Sequence, residues 1–215
     1  MSVDTFLGFP RMPALVRPGK RGTVRVCHFT VNQRMSRFTL LRGLLNGTPE
    51  YCPPGKYAVL KLNGETMMSD TRMERLTNQQ VLAHAHGRVL IVGLGLGMIL
   101  HPIVAKAGVT KVVVVEKSQD VIKLIAPSLP PSVELVCADI FEWKPPTEKW
   151  DTIYFDIWPS VSEVNLPEMA TLHRKFRPRL VRGGWMDSWC RADLKRQRRL
   201  RLKARKIREK MKSAR

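Results

Sequence analysis

The middle of the chain carries glycines and acids whose order suits a nucleoside site. The run VLIVGLGLGMI (89–99) sets Gly93, Gly95 and Gly97 behind an apolar stretch. Glycine lacks a Cβ and accepts positive φ, so such a turn lets a ligand approach the backbone closely. The dinucleotide fingerprint GxGxxG would need its third glycine at 98, where Met98 stands. Nor does the turn contain the GK[ST] of a triphosphate loop. A bound phosphate is therefore not the expectation.

Three acids follow the turn, each closing a strand-like run. VVVVEKS ends in Glu116, 23 residues after Gly93; a carboxylate there can accept hydrogen bonds from both ribose hydroxyls. VCADIFEW brings Asp139 to where an adenine amino group could donate to it, with Ile140 against the ring. IYFDIWP ends in Asp156, which could orient or deprotonate an amine or hydroxyl nucleophile. Its bland alternatives are an amino-group contact or a cap on the next turn. Trp158 either stacks on a planar substrate or packs under its own loop, with Pro159 next to it. One acid at a strand end is commonplace. Three in succession behind a glycine turn are not.

Other chemistry is poorly represented. His84 and His86 form an HxH without an accompanying acid or cysteine at ligand spacing, so they read as helix-end residues and no metal is expected. Cys27, Cys52, Cys137 and Cys190 lie far apart with no CxxC. Cys137, inside an apolar run, is expected as a buried, reduced thiol.

Stepping outward to the elements, the chain reads as three parts. Residues 1–65 form a basic, β-rich extension, with strand-like runs at 23–31 and 56–62, a short helix at 36–45 and an Asn-Gly hairpin turn at 63–64. Residues 66–190 alternate: helix 71–85, strand 88–93, helix 98–107, strand 111–116, helix 119–125, strands 133–139 and 150–156, helix 166–180, strand 183–189. Continuous Val/Ile runs mark strands covered on both faces. Alternation of this kind predicts an α/β fold with an open, doubly wound, mostly parallel sheet of Rossmann-like type. Residues 191–215 predict a basic helix with one apolar stripe, Leu200, Ala204, Ile207 and Met211.

The glycine turn and its three acids resemble the class I S-adenosylmethionine-dependent methyltransferases over about residues 88–190. The resemblance implies that the turn meets the methionine part of the cofactor, Glu116 the ribose, Asp139 and Ile140 the adenine. It also implies that Asp156 to Pro159 face the reacting centre. The hairpin and helix of residues 56–85 look like the spermidine synthase branch, which transfers an aminopropyl group. Two departures stand against that activity: Leu96 where the branch has an acid in its turn, and Trp158-Pro159 where it has a second acid. The resemblance further implies another helix and a final hairpin after the fifth strand, where this chain has its basic segment. The sheet would then be short with an exposed edge, or covered by the N-terminal strands or a second copy in a homo-oligomer.

Charge points to a partner. The 215 residues hold 37 Lys+Arg against 18 Asp+Glu, a net +19, which favours polyanions or anionic surfaces. Of this, +11 falls on 191–215, where 13 cations face only Asp193 and Glu209. The first 64 residues add ten cations against Asp4 and Glu50. No apolar run reaches membrane-spanning length and no secretory leader is visible, so a cytoplasmic protein is expected. The expected activity is methyl transfer to a nucleic acid or other anionic substrate, with the tail supplying non-specific affinity. Aminopropyl transfer is one alternative. A non-catalytic nucleic-acid-binding protein on the same scaffold is the other.

Overall fold

The computed structural model describes residues 5–47, 51–145 and 147–213. Asp4, Glu50 and the last two tail residues, counted above, lie outside them.

The N-terminal part folds as two antiparallel sheets. A small hairpin pairs β1 (Thr5–Phe6) with β2 (Phe9–Pro10). A four-stranded sheet then runs in the order β3 (Gly19–Arg21), β4 (Val24–Val31), β5 (Gly55–Leu62), β6 (Glu65–Ser69). Asn63 and Gly64, at φ 53 and 87, close the β5–β6 hairpin as their types predict. Between β4 and β5, α1 (Gln33–Asn46) starts earlier than the sequence suggests, because Asn32 caps it by accepting from Met35 N at 2.9 Å.

The predicted helix over 71–85 is two pieces, α2 (Arg72–Thr77) and α3 (Gln79–His84). The break falls at buried Asn78, whose side chain accepts from the Tyr154 hydroxyl at 3.0 Å and donates to the Glu74 carbonyl at 3.0 Å. These tertiary bonds outweigh helical continuity. His84 and His86 close the segment through bonds to the Gln80 and His84 carbonyls.

Five parallel strands follow: β7 (Gly87–Val92), β8 (Val109–Glu116), β9 (Val133–Cys137), β10 (Trp150–Phe155) and β11 (Leu180–Ser188). Their spatial order is β11-β10-β7-β8-β9, so the winding reverses between β7 and β10. This is the Rossmann-like, doubly wound architecture, carried through five strands, with its ligand crevice at that reversal. Helices α4 (Leu100–Val104), α5 (Gln119–Ile125) and α6 (Leu166–Phe176) connect the strands. Helix α4 is shorter than the predicted 98–107: Pro102 confines its start, and the chain turns again before Gly108. Helix α6 stops ahead of Pro178, and Leu180 already enters β11.

Both faces of the sheet are apolar because both are covered. Val89, Ile91, Val112 and Val114 point into one core, shared with the N-terminal sheet through Val24, Val26 and Leu60. Leu90, Val92, Val113 and Val115 point into the other, with Leu172 and Phe176 of α6. A two-residue side-chain period explains why continuous Val runs satisfy both. The N-terminal strands thus cover a face. The edge strand β11 pairs only with β10 among the described residues. At the opposite edge, the end of β9, Cys137 is a free thiol but exposed; the expected burial fails because no element covers that strand tip.

A buried ion pair ties the first residues to the rest. Arg75 and Asp70 meet at 2.8 Å with side chains 0% and 1% exposed. Arg75 also donates to the carbonyls of Phe6, Phe9 and Pro10, while Asp70 accepts from Met12 N and Ala58 N. Every hydrogen-bonding edge of the pair finds a partner, as burial of charge requires.

The chain ends in α7 (Arg191–Ser213). Leu194 is buried. The predicted stripe is not docked: Leu200, Ile207 and Met211 are each about 60% exposed. No described helix is long and apolar enough to cross a membrane.

Candidate functional site

The carboxyl ends of β7, β8 and β10 open onto a cavity of about 470 Å³, within the range of small-molecule sites. The glycine turn forms one wall. Gly93 has φ 98, and a Cβ there would run into the Asp156 carbonyl, so the tips of β7 and β10 touch. Gly95 has φ 52, and any side chain would overlap the sulfur of Met68, which accepts from Leu96 N at 3.0 Å. Gly97, at φ 72, packs on Leu129 behind the turn and is not part of the cavity wall. The neighbours that shape the turn at Gly93 and Gly95, Asp156 and Met68, line the cavity themselves, while Leu129 packs on Gly97 outside it.

Glu116 stands at the tip of β8 and lines the same space. Its Oε2 accepts from Leu94 N at 2.9 Å and its Oε1 from Ser118 N at 2.8 Å. Each oxygen keeps a further lone pair, so the carboxylate holds the turn and can still accept from two hydroxyls. Asp139 and Ile140 line the cavity beyond the end of β9, Asp139 exposed and Ile140 buried. Asp139 Oδ1 accepts from Phe141 N at 2.8 Å, and Lys175 Nζ binds the Ile140 and Phe141 carbonyls at 2.8 and 2.7 Å. That fixes the loop under the acid.

Asp156 lies at the bottom, half-buried, with Glu74 of α2 in the same wall. Burial pushes the Asp156 carboxyl up to about 7. Burial and then the Asp156 charge push Glu74 up to about 8, against a backbone hydrogen bond from Ser69. Two carboxyls so placed resist losing both protons together. Trp158 packs beneath its loop, 7% exposed, and donates from Nε1 to Glu168 Oε2 at 2.9 Å. Pro159 sits exposed at the rim. No His/Cys/Asp/Glu cluster fit for a metal occurs among the described residues.

Sequence reasoning missed Glu74, Glu168 and Met68. Each sits in an ordinary amphipathic context, and only the packing turns it inward. The departures at Leu96 and Trp158-Pro159 do not leave the cavity short of acids: Glu74, Glu116, Asp139, Asp156 and Glu168 line it against Lys61 and Lys117. Leu96 itself is buried in the core and lines nothing. A net-basic protein thus encloses a net-acidic pocket.

No protein-family model matches the chain, and no curated protein sequence does. Solved structures with a similar fold include a DhpI complex described as DhpI-SAM-HEP, 20% identical, covering 54% of this chain and 53% of that one at TM-score 0.44. A methyltransferase from Mesorhizobium loti, described as S-adenosylmethionine dependent, is 18% identical over 52% of each chain at TM-score 0.42. Spermidine synthase from Thermotoga maritima is 16% identical, covering 61% of this chain and 49% of that one at TM-score 0.44. The match spans about half the length of each.

Proposed function

We propose that the chain is an S-adenosylmethionine-dependent methyltransferase. The observation that carries this reading is an acid-lined cavity at the winding reversal, with Glu116 braced against a glycine turn that carries neither phosphate-binding pattern. The residues fit the group chemically: a sulfonium cofactor is a cation, and an excess of carboxylates suits it while opposing a pyrophosphate. When bound, the cofactor supplies an activated methyl group. Glu116 would hold the ribose, Asp139 and Ile140 the adenine, and Gly93 and Gly95 would let the methionine part lie on the backbone. Asp156, paired with Glu74, would take the proton that the acceptor nitrogen or oxygen loses as it is methylated. Trp158 would shape the floor through its bond to Glu168.

The acceptor is read as a nucleic acid or other polyanion, drawn in by the basic segment 191–215 in a cytoplasmic setting where four free thiols persist. A second reading, aminopropyl transfer from the decarboxylated cofactor, is favoured by the number of carboxylates alone. The +19 surface opposes a polycationic substrate at long range. Calorimetry separates them. S-adenosylmethionine and its demethylated product should bind, and tighter binding of the decarboxylated form would reverse the order. Glu116→Ala should weaken cofactor binding by at least about tenfold, the loss of a charge-assisted bond pair. Gly95→Arg should abolish it, since the side chain must displace Met68 or enter the cavity. Undiminished binding in both variants would remove the site.

A further inference from the structure

A second concavity, of about 420 Å³, lies between the first turns of α6 and the first three turns of α7. Its floor is apolar, with Leu166, Pro167 and Leu202. Its wall carries Arg191, Lys195, Arg198 and Arg199, and no acid lines it. Positions 191, 195, 198 and 202 share one face of a 3.6-residue helix. The Leu200–Met211 stripe falls on the far side, so the groove is not a consequence of that amphipathic pattern. Arg191 leans on Asp187 at 3.4 Å. Lys195, Arg198 and Arg199 have no carboxylate within ion-pairing distance among the described residues. Nearby, His173 is lowered to about 4, chiefly by burial and then by Arg191, Lys195 and Arg177, the first two of which line the groove.

The groove adjoins the cofactor cavity. Asn165 and Glu168 line the cavity, while Leu166 and Pro167 of the same turn line the groove. Only the thickness of one helix, about 10–12 Å, separates them. Ser160, Val161 and Val164 are exposed in the segment that leads into α6, which the Arg201–Glu163 ion pair ties to α7 at 2.6 Å. A narrow groove lined by cations and no acid suits the phosphate backbone of a single strand, and its apolar residues can meet the sugars and base faces without aromatic stacking. A base must leave its stack before an enzyme can modify it, so a single strand also suits the adjacent cavity.

We propose that this groove is the track for the phosphate backbone of a single-stranded nucleic acid, positioned so that a neighbouring nucleoside enters the cavity past Pro159. The inference rests on the methyltransferase reading for its purpose. It assigns the binding to the root of α7, not to the projecting half.

The test uses the full chain and a labelled single-stranded oligonucleotide over a salt series, with a duplex of the same sequence alongside. A proximal triple variant, Lys195→Gln with Arg198→Gln and Arg199→Gln, is compared with a distal one, Lys203→Gln with Lys206→Gln and Arg208→Gln. Each phosphate contact on a single strand contributes about 0.7 to the slope of log K against log salt, so the proximal triple should lower the slope by about 2. The distal triple should change it by much less, and single strand should bind tighter than duplex. An equal or larger effect of the distal triple, or preference for duplex, overturns the proposal. Cofactor calorimetry on the same samples keeps the two readings apart. If the wild type binds the strand with the expected slopes but no S-adenosylmethionine, the groove stands and the enzyme reading falls. If both triples bind cofactor normally and strand binding ignores the proximal triple, the groove falls alone. Unchanged thermal midpoints show that each variant is folded.

Discussion

At the residue scale, the chemistry turns on carboxylates that burial holds near neutrality. Glu74 ordinarily titrates near 4.5 and is pushed up to about 8 by burial and by Asp156. An unfolded chain gives up that proton near 4.5, whereas the folded chain keeps it. The folded state therefore binds more protons between those limits, and stability falls as pH rises through the window. Glu74→Gln removes this group's share of the dependence and leaves that of Asp156. The variant's melting temperature should match wild type near pH 5 and exceed it by pH 9, by about 2–4 °C for each kcal/mol relieved. A gap that stays constant across pH 5, 7 and 9 would show that Glu74 does not titrate in this way. On the proposed reading, the rate of methyl transfer should rise with pH through about 7–8, as the pair releases its proton to accept the substrate's.

At the element scale, the site depends on how α2 is anchored. Arg75 holds three carbonyls of the β1–β2 region and Asp70, while Asp70 holds the backbone of β5 at Ala58. Glu74 is its chain neighbour, so the acid reaches the cavity only if this hub forms. Arg75→Ala leaves Asp70 buried without its counter-ion, held only by Met12 N and Ala58 N, which typically costs about 3–5 kcal/mol. Denaturant titration should show the midpoint falling without recovery from Lys at 75, since one ammonium cannot serve the three carbonyls and the carboxylate with the same fork geometry. A loss below about 1 kcal/mol would mean that the hub is open to water. Helix-wheel reasoning did not find this pair, because a charge in the core violates the very pattern that locates cores.

At the scale of the whole molecule, charge is segregated by depth: a net-acidic cavity inside a surface of net +19. Such a field favours polyanions at the surface over polyanions in the cavity, and cations the reverse. Helix α7 adds little to the core beyond Leu194, since Leu200, Ile207 and Met211 are exposed. Truncation after Leu202 should leave the thermal midpoint almost unchanged, within the ~0.5 kcal/mol usual for surface changes. It should at the same time weaken salt-sensitive association with nucleic acid far less than the proximal triple does. A large drop in the midpoint would show that the projecting half is docked.

The sequence by itself determined the parallel sheet, because Val/Ile runs buried on two faces admit few other arrangements. It also determined the ligand end of that sheet, because glycines and acids closed successive strands. Gly93, Gly95, Glu116, Asp139, Ile140, Asp156 and Trp158 do converge on one cavity. Local spacing carries that information, since a strand tip is a local feature. What only the tertiary structure decided was which distant side chains complete the wall. Glu74, Met68 and Glu168 come from a helix, a hairpin and a crossover helix whose own patterns are unremarkable as sequence. Their inward direction is set by packing between elements, as are the break at Asn78, the exposure of Cys137 and the groove beside α7. Contacts between residues far apart in the chain have no periodic signature, and those contacts fix the charge of this pocket.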